Sequence, residues 1–442
     1  MYNLLDNLYA LVWGWPLLVL ISGVGLYLTI ILRGIQFRKL IPALKIAFGK
    51  DTDSQSQGDI SHFQALMTAL AATMGIGNIA GVATALTAGG VGALFWMWVT
   101  ALLGMATKYA EAILAVRYRS IDDRGQMCGG PMYFIERGLN WKFLASLFAF
   151  FGIFAAFGGG NLIQSNSVAE VLHSVFSIDH TVSAVLLAIC TALSLLGGIY
   201  SIGNIASLLV PFMALFYIAG AGYILIAHIT AIPEAIVSIF YHALTPQAAI
   251  GGFIGSTVAS AIQVGVSRGL MTSEAGLGTA SIAAAAAKTE SPHRQALVSM
   301  TGSFIATIIM CSVTALVITV TGSLGTLNIH GTVMTGAALT AHSFSSTLSA
   351  GGIIVSISLI LFAFTTLLGW AYYGEKCVEY LLGTKAVIPF RILFVLVVAL
   401  GALLKLEVVW KISDIFNGLM AYPNLIGVLA LSKVVVEESK KV

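Results

Sequence analysis

The chain has 442 residues, of which 58% are hydrophobic and only 9% are charged, and its formal net charge is +3. Soluble domains carry about 25% charged residues, so this composition excludes a soluble globular protein and indicates a polytopic membrane protein. Asp6 precedes a first apolar run long enough to span a bilayer, which argues against a cleaved signal peptide. The four cysteines and eight histidines lack the spacing of a disulfide framework or a metal site.

Apolar runs of spanning length predict eleven transmembrane helices. The runs lie at about 12–32, 61–88, 93–116, 143–172, 181–199, 204–228, 251–287, 295–320, 350–373, 388–404 and 415–433. With the N-terminus outside, every Lys and Arg except Lys405 and Lys411 falls on the inner side, as the positive-inside rule requires. We therefore expect a multi-pass protein of the plasma (inner) membrane with its N-terminus outside and its C-terminus in the cytoplasm.

The first inner loop mixes apolar residues such as Ile35, Phe37 and Ile41 with Arg38 and Lys39. This pattern fits an amphipathic helix lying at the membrane surface, and an ordinary solvated loop is the alternative. The polar stretch at residues 50–60 is expected to be a linker.

The second apolar run contains Gly75-Ile76-Gly77-Asn78 in its middle. A glycine costs about 1 kcal/mol relative to alanine inside a helix, so two glycines beside an asparagine predict a break. Backbone outside a helix is tolerated at membrane depth only against protein or a water-filled cavity, and the next half-helix presents N–H groups to an anion. We interpret the break as a substrate-binding hinge. The alternative is that the glycines only allow two helices to pack closely.

The seventh run, at 251–287, is too long for one span and is expected to be interrupted at residues 265–269, which read Gly-Val-Ser-Arg-Gly. The two interrupted runs are the first and sixth of the ten that follow the initial helix, which predicts two inverted five-helix repeats. The expected domains are an extra helix and loop at 1–58, repeats at 59–230 and 251–433, an extracellular connection at 231–250 and a tail at 434–442.

Polar side chains inside apolar runs supply the candidate site residues. Burying amides in hydrocarbon is costly unless they face a polar cavity or hydrogen-bond another helix. The fourth run and the segment before the second interruption carry such residues, namely Asn161, Gln164, Ser165, Asn166, Ser167 and Gln263.

The placement of the acidic residues predicts how a cation is held. Lys108 and Glu111 are three residues apart and are expected to be able to pair, but no carboxylate is expected near the first hinge. A cation would therefore bind backbone carbonyls and the hydroxyls of Thr365 and Thr366, because hard cations take oxygen ligands. A bond to the residue's own helix is the alternative for each threonine. Trp370, one turn further, would cap a small pocket or serve in packing.

Residues 89–104, GGVGALFWMWVTALLG, resemble the signature of the sodium:alanine/glycine symporters, the amino acid carrier family. The resemblance continues through KYAEAILAVRY, GGPMYFIERGL, NLIQSNS, RGLMTSEAGLGTA, GWAYYGEKCVEYL and DIFNGLMAYPNL, and so spans nearly the whole chain. It implies an all-α, leucine-transporter-type fold of ten core helices in two inverted repeats, preceded by one extra helix.

The resemblance also implies roles for single residues. Sodium would be held by Ala71, Met74, Phe362, Thr365 and Thr366. The substrate would contact Thr73, Gly75, Ile76, Gly77, Asn78, Gln164, Gln263, Thr366 and Trp370. Ile76 stands where the family often has threonine, and this departure bears on substrate preference.

The sequence thus predicts a secondary transporter that takes up small neutral amino acids, alanine or glycine first, by sodium symport and alternating access. Glutamine or another small polar amino acid, and coupling to protons, are the alternatives. An ion channel would need a continuous pore, and an intramembrane enzyme would need a catalytic constellation that the sequence does not display. The expected partners are the amino acid, sodium and the lipid bilayer, without nucleic acid or an evident obligate protein partner.

Overall fold

The computed structural model describes residues 2–49, 56–246, 256–328, 331–404 and 407–441. Lys50 and Lys405 of the predicted charge distribution, and residues 251–255 of the seventh run, lie outside these ranges. The first helices are α1 Tyr2–Val12, α2 Trp15–Ile31, α3 Ile35–Arg38, α4 Leu40–Phe48, α5 His62–Thr73, α6 Ala80–Gly89, α7 Ala93–Arg117, α8 Pro131–Leu139, α9 Lys142–Phe157, α10 Ile163–Phe176, α11 His180–Leu195 and α12 Gly198–Ala227. The remaining helices are α13 Ile232–Leu244, α14 Val258–Ser273, α15 Thr279–Ala285, α16 Pro292–Ser303, α17 Ser312–Val320, α18 Gly336–Ser345, α19 Gly351–Leu382, α20 Val387–Leu403, α21 Glu407–Ala430 and α22 Ser432–Glu438.

A short antiparallel hairpin interrupts the helices between α7 and α8. Its strands are β1 Ser120–Ile121 and β2 Met127–Cys128, with Ser120 paired to Cys128. Two helical segments of the wider π type, Gly158–Leu162 and Phe304–Cys311, join α9 to α10 and α16 to α17. Such bulges are frequent at functional sites.

The first predicted break is confirmed. Ser61 caps the start of α5, because its hydroxyl accepts from the Gln64 N–H while the Gln64 side chain accepts from the Ser61 N–H. The helix ends at Thr73, a single 3-10 turn covers Ile76–Asn78, and α6 resumes at Ala80. The glycine pair therefore lies in non-helical backbone between two half-helices.

The second break exists but lies further along the chain than predicted. Helix α14 continues without a break through residues 265–269. The glycines here serve a different purpose: a Cβ on Gly265 would stand 2.5 Å from the Ala93 carbonyl oxygen, and one on Gly269 would stand 3.0 Å from the Met97 Cα. These glycines let α14 pack closely on α7. The helix instead ends at Ser273, and α15 begins at Thr279.

The structure also bears on two predictions about the inner segments. Arg268, assigned to an inner segment by the charge rule, lies on α14, five residues before that helix ends. Residues 35–48 form the short helices α3 and α4 rather than an irregular loop, and Phe37 and Ile41 on them are exposed. This arrangement favours the amphipathic surface helix.

Among the described residues, seven continuous helices are long and apolar enough to cross a membrane, or eight if the bent pair Val409–Ala430 and Ser432–Glu438 is one span. The two broken spans and the shorter His180–Leu195 fall outside that length criterion, so the count of eleven remains a prediction. Helix α7 packs against α14 and α16, while α19 packs against α5, α9, α10 and α12. These contacts bring the first break against α14, where the candidate site lies.

Candidate functional site

A cavity of about 330 Å³ lies between the two breaks, α10, α19 and α21. It continues along α6, which contributes Ala80, Gly81 and Thr84. The structure brings seven of the predicted substrate-binding residues to its wall, namely Thr73, Gly75, Ile76, Gly77, Gln164, Thr366 and Trp370.

The first hinge supplies hydrogen-bond donors to this cavity. The Gly75 N–H donates to the Thr73 carbonyl, but within the described chain the N–H groups of Ile76 and Gly77 have no hydrogen-bond acceptor. They precede α6, whose N-terminus carries partial positive charge. The hinge can therefore receive an anionic group such as a carboxylate.

Gly75 is required by close packing at the hinge. A Cβ there would lie 2.8 Å from Thr366 Oγ1 and 3.5 Å from Gln164 Oε1. Gln164 is buried, and its Nε2 donates to the Gly159 carbonyl while its Oε1 has no partner. An unpaired buried acceptor beside a cavity indicates a place where a ligand donor can bind.

Trp370 forms the wall of the cavity on the α19 side and is 5% exposed. It can pack there because residue 160 is glycine, since a Cβ on Gly160 would stand 2.2 Å from the Trp370 Cβ. The indole therefore limits the room available to a ligand side chain.

Two predicted contacts are wrong for this cavity. Asn78 is fully buried behind the hinge, where its Nδ2 donates to the Ala306 carbonyl at 2.7 Å and its own carbonyl accepts from Thr314 Oγ1. Asn78 ties the hinge to the span formed by α16 and α17 and does not line the cavity. Gln263 is exposed on α14, ten residues before that helix ends, and does not line the cavity either.

The predicted sodium ligands lie at the end of α5 and on α19, and Thr366 among them also lines the cavity. Thr366 Oγ1 donates to the Ala71 carbonyl at 3.0 Å, which links α19 to α5. Thr365 Oγ1 donates to the Phe362 carbonyl of its own helix at 3.0 Å. Each hydroxyl is thus paired with one of the predicted carbonyls, and neutral oxygens of this kind are ligands that a hard cation accepts. Met74, the fifth predicted ligand, is the residue that directly follows α5 and caps it.

The polar side chains at residues 161–167, on the span formed by α9 and α10, serve mainly in packing. Asn161 Nδ2 donates to the Phe394 carbonyl and Asn166 Nδ2 to that of Leu404, so both amides bind α20 and the residues after it. Ser165 and Ser167 donate to carbonyls of their own helix. Of this cluster only Gln164 faces the cavity.

The expectation that no carboxylate lies near the hinge is wrong. Glu274, at the second break, and Asp414, on α21, both line the cavity, as does Arg268. Glu274 is 3% exposed, and its Oε2 accepts from Thr279 Oγ1 at 3.0 Å. Sequence reasoning missed it because hydropathy does not give the depth of a single acid within an interrupted run. The signal was the string SEAGLG, an acid followed two and four residues later by glycines.

The predicted Lys108–Glu111 pair is also not formed in the described structure. Glu111 Oε1 instead accepts from the Gly276 N–H at 3.1 Å and from Asn424 Nδ2 at 2.6 Å. Lys108 is fully buried on the same helix, within electrostatic range of both Glu111 and Glu274. Three ionisable groups therefore surround the second break.

The two broken spans meet a second time, far from the cavity, at a contact we name the hairpin seal: residues 57–60, Arg119 and residues 285–289. Ile60 forms a parallel bridge with Ala287, and a Cβ on Gly58 would lie 2.4 Å from Lys288. Arg119 donates four hydrogen bonds of 2.6–3.0 Å to the carbonyls of residues 57, 285, 287 and 289. Residues 57–60 are therefore a packed element and not the predicted polar linker; residues 51–55 lie outside the described ranges.

Beside the seal lies a carboxylate network whose members come from the β-hairpin, α19 and α20: Asp122, Arg124, Cys128, Glu375, Lys376, Glu379 and Arg391. Arg124 binds Glu379 at 2.7 Å, Lys376 binds it at 3.1 Å, and Arg391 binds Glu375 at 2.7 Å. Asp122, Cys128 and Glu379 have the mutual distances of metal ligands, but Lys376 Nζ also lies 3.4 Å from the Cys128 sulfur. The geometry is that of an ion-pair network.

Comparison with known proteins agrees with this architecture. The sequence profile described as the sodium:alanine symporter family matches residues 1–441. The sodium/alanine symporter AgcS of Methanococcus maripaludis is 54% identical over 99% of this chain and 96% of its own length. The probable sodium/glutamine symporter GlnT of Bacillus subtilis is 35% identical over 96% of this chain and 87% of its own.

Solved structures agree on the fold. MhsT in complex with L-phenylalanine superposes with a TM-score of 0.60 over 87% of this chain and 92% of its own, at 16% identity. The manganese transporter of Eremococcus coleocola gives a TM-score of 0.53 over 85% and 78%, at 14% identity. Both have the leucine-transporter-type fold, so the predicted fold class, with its two interrupted core helices, is confirmed.

Proposed function

The chain belongs to the sodium:alanine symporter family and is a multi-pass membrane transporter rather than an enzyme, and from this premise we propose that it carries small neutral amino acids, alanine and glycine first, together with sodium. Its relative AgcS, named a sodium/alanine symporter, shares more than half of its residues. The cavity between the two breaks is the proposed substrate site.

The observation that carries this proposal is the polarity of that cavity. The free N–H groups of Ile76 and Gly77 suit a carboxylate, and the unpaired Oε1 of Gln164 suits a donor. Trp370 forms the wall of the cavity on the α19 side. A small zwitterion satisfies the donors and the acceptor at once, whereas an anion or a cation satisfies one set only.

We propose that sodium binds between α5 and α19, through the carbonyls of Ala71, Met74 and Phe362 and the hydroxyls of Thr365 and Thr366. An ion there holds the first hinge against α19. Because the same hinge contacts the substrate, ion and amino acid would raise each other's affinity, as linkage requires.

We also propose the orientation and the repeats. The hairpin seal faces the cytoplasm, so the structure is closed on that side and the cavity opens outward, in a plasma-membrane protein with its N-terminus outside. The inverted repeats comprise residues 59–230 and 251–433, after an extra helix and loop at 1–58 and joined by residues 231–250, with a tail at 434–442. Each repeat begins with a broken helix, which supports this division.

Uptake by the purified protein in proteoliposomes tests the proposal. We expect an inward sodium gradient to drive alanine and glycine uptake, and unlabelled alanine to compete. Replacing both Thr365 and Thr366 by valine keeps their shape and removes the oxygens, and this variant should bind amino acid poorly at any sodium concentration. Full sodium dependence in the double variant would place the ion elsewhere.

Glutamine transport or proton coupling is the second candidate. GlnT carries glutamine in its name, and a putative sodium/proton-dependent alanine carrier of Bacillus subtilis, YrbD, is 35% identical over 98% of this chain and 90% of its own. The buried Glu274 in the cavity wall also favours proton coupling. Glutamine competing better than alanine, or a proton gradient driving uptake without sodium, would establish it.

A further inference from the structure

The residue at the second break has a backbone conformation that suits glycine and yet is a glutamate. Glu274 ends α14 with φ 51 and ψ 17, in the left-handed region. The neighbouring residues with positive φ in this break, Gly276 and Gly278, are glycines. A residue with a side chain is uncommon there, and such strain clusters at functional sites. The conformation of Glu274 therefore indicates a functional role for its side chain.

The Glu274 carboxylate is buried without a contacting cation. It is 3% exposed, faces the cavity and accepts from Thr279 Oγ1, and Thr73 and Trp370 lie beside it. In the described parts of the chain, no Lys, Arg or His nitrogen lies within ion-pairing distance of it. Lys108 acts on it from α7, but the same lysine also acts on Glu111. If ionised, these three groups carry one negative charge in excess, and a buried charge without a partner is costly.

A second acceptor in the cavity also lacks a donor. Gln164 is 8% exposed, and its Oε1, directed at the first hinge, has no partner. The N–H groups of Ile76 and Gly77 are free donors on the hinge itself. The cavity thus offers acceptors from α10 and the second break, and donors from the first. An α-amino acid carries one ammonium group and one carboxylate on neighbouring atoms, and so matches both.

We propose that Glu274 is a specificity residue of the cavity, and that its carboxylate and the Gln164 side-chain oxygen bind the α-ammonium group of the substrate. The inference rests on the proposed function and deepens it. The ammonium site then contains a charged ligand, whereas the proposed sodium ligands are all neutral oxygens. A ligand without a free amine would leave a buried carboxylate unpaired, so we expect the amine to be required for tight binding.

The test measures alanine binding to the full-length protein, purified and placed in lipid nanodiscs, at saturating sodium. Glu274→Gln keeps the shape and an acceptor for Thr279 but removes the charge. We expect it to weaken alanine binding about thirtyfold or more, as when one partner of a buried charge pair is removed. Sodium binding without amino acid should stay within about threefold, since Glu274 is not among its ligands. The matched control is Glu111→Gln, which changes a buried carboxylate of the same charge cluster outside the cavity and should bind alanine within about threefold of wild type.

Each other outcome is decisive. Unchanged alanine affinity in Glu274→Gln overturns the inference, and so does an equal loss in Glu111→Gln, which would mean that only net charge matters. Loss of sodium binding in Glu274→Gln without amino acid would assign the carboxylate to the ion. If the wild type binds neither alanine, glycine nor glutamine, the proposed function fails before any variant is compared.

A measurement on the wild type keeps the inference testable if Glu274→Gln does not fold. L-Lactate has the carboxylate and methyl group of alanine but a neutral hydroxyl in place of the ammonium group. We expect it to compete at least about a hundredfold less well than alanine. If L-lactate competes at the same concentration as alanine, the Glu274 carboxylate does not bind the ammonium group.

Discussion

The cavity and the hairpin seal lie on the same two broken spans but differ in how their buried polar groups are satisfied. At the seal, the Arg119 guanidinium donates hydrogen bonds to four main-chain carbonyls. The neighbouring carboxylates of Glu375 and Glu379 form ion pairs with arginines. At the cavity, Gln164 Oε1, Ser413 Oγ and Asn417 Oδ1 are buried without a partner. Buried polar groups are normally paired, so the difference separates a contact complete within the protein from one completed by a ligand.

The difference also indicates how the two ends are coupled. A ligand can shift a conformational equilibrium only through contacts that differ between the two states. The seal favours the state closed at the hairpin end, and ligands in the cavity bind the hinges of the same half-helices. Opening the seal therefore has to be compensated by contacts made at the cavity.

The largest effect is expected from breaking the seal at Arg119. Hydrogen bonds from charged groups contribute about 1.5–3 kcal/mol each, and Arg119 is only partly buried, so we expect Arg119→Ala to favour opening by about 2–3 kcal/mol in total. Amide hydrogen exchange of residues 57–60 and 285–289 should accelerate about thirtyfold, and sodium-driven uptake should collapse. Arg119→Lys should be intermediate, since an ammonium lacks the planar fork. Unchanged protection in Arg119→Ala would show that the bridge at Ile60 holds the seal alone.

The sequence predicted the seal poorly and the first hinge well, for physical reasons. Gly75 and Gly77 flank one residue in a run otherwise helical, so a break was the economical interpretation. Gly265 and Gly269 gave the same local pattern, but there the missing Cβ atoms accommodate α7, a neighbour that no local pattern reveals. Arg119 was visible only as a loop charge, because its acceptors are carbonyls distant in sequence, three of them more than 160 residues away.

The residues of the candidate site were likewise predicted only in part. Thr366 and Trp370 were assigned to the cavity by the family resemblance, and their spacing of one helical turn on α19 is consistent with a shared face. Gln263 was wrong because its face of α14 depends on where the helix starts and what it packs against. Asn78 adjoins the hinge backbone that lines the cavity, but its side chain points away from the cavity toward Ala306.

A second variant tests a contact that belongs to neither region. Asn78 links the back of the first hinge to the Ala306 carbonyl in a fully buried place. Asn78→Ala leaves that carbonyl without the Asn78 donor, so we expect a loss of about 1–3 kcal/mol in unfolding free energy along with reduced uptake. Thermal unfolding and uptake of the same preparation measure both. Uptake lost at unchanged stability would instead indicate a direct role with the substrate.

A smaller, selective effect is expected inside the cavity from the packing of Trp370 on Gly160. Trp370→Ala should admit larger neutral amino acids, and Gly160→Ala should push the indole inward and favour glycine over alanine. A methylene in an apolar pocket discriminates by about 1–3 kcal/mol, so each change should shift the ratio of uptake rates about tenfold, in opposite directions. Two variants that shift selectivity the same way would place Trp370 in packing only.

The smallest expected effect is a difference in how stability depends on pH between two carboxylates, Asp59 at the hairpin seal and Asp122 in the network beside it. Burial raises the pKa of Asp59, although the Met127 N–H and Lys376 oppose this. The folded state therefore holds its proton to higher pH than the unfolded chain, and stability falls as pH rises from about 3.9 through the raised pKa. Asp59→Asn removes this loss and retains an acceptor for Met127. Its unfolding free energy relative to wild type should increase with pH across that window and then level off.

Asp122 should behave with the opposite sign. Burial alone would raise its pKa, but hydrogen bonds from Gln126 and Arg124 and the charge of Lys376 outweigh burial and lower it. Its ionised form therefore stabilises the fold above about pH 3.9, and this contribution is lost as pH falls toward the lowered pKa. Asp122→Asn should be less stable than wild type at neutral pH, and the difference should shrink on acidification. Thermal unfolding of both variants between about pH 2 and pH 7 covers both windows, and parallel pH profiles would mean that the two carboxylates do not differ as the structure requires.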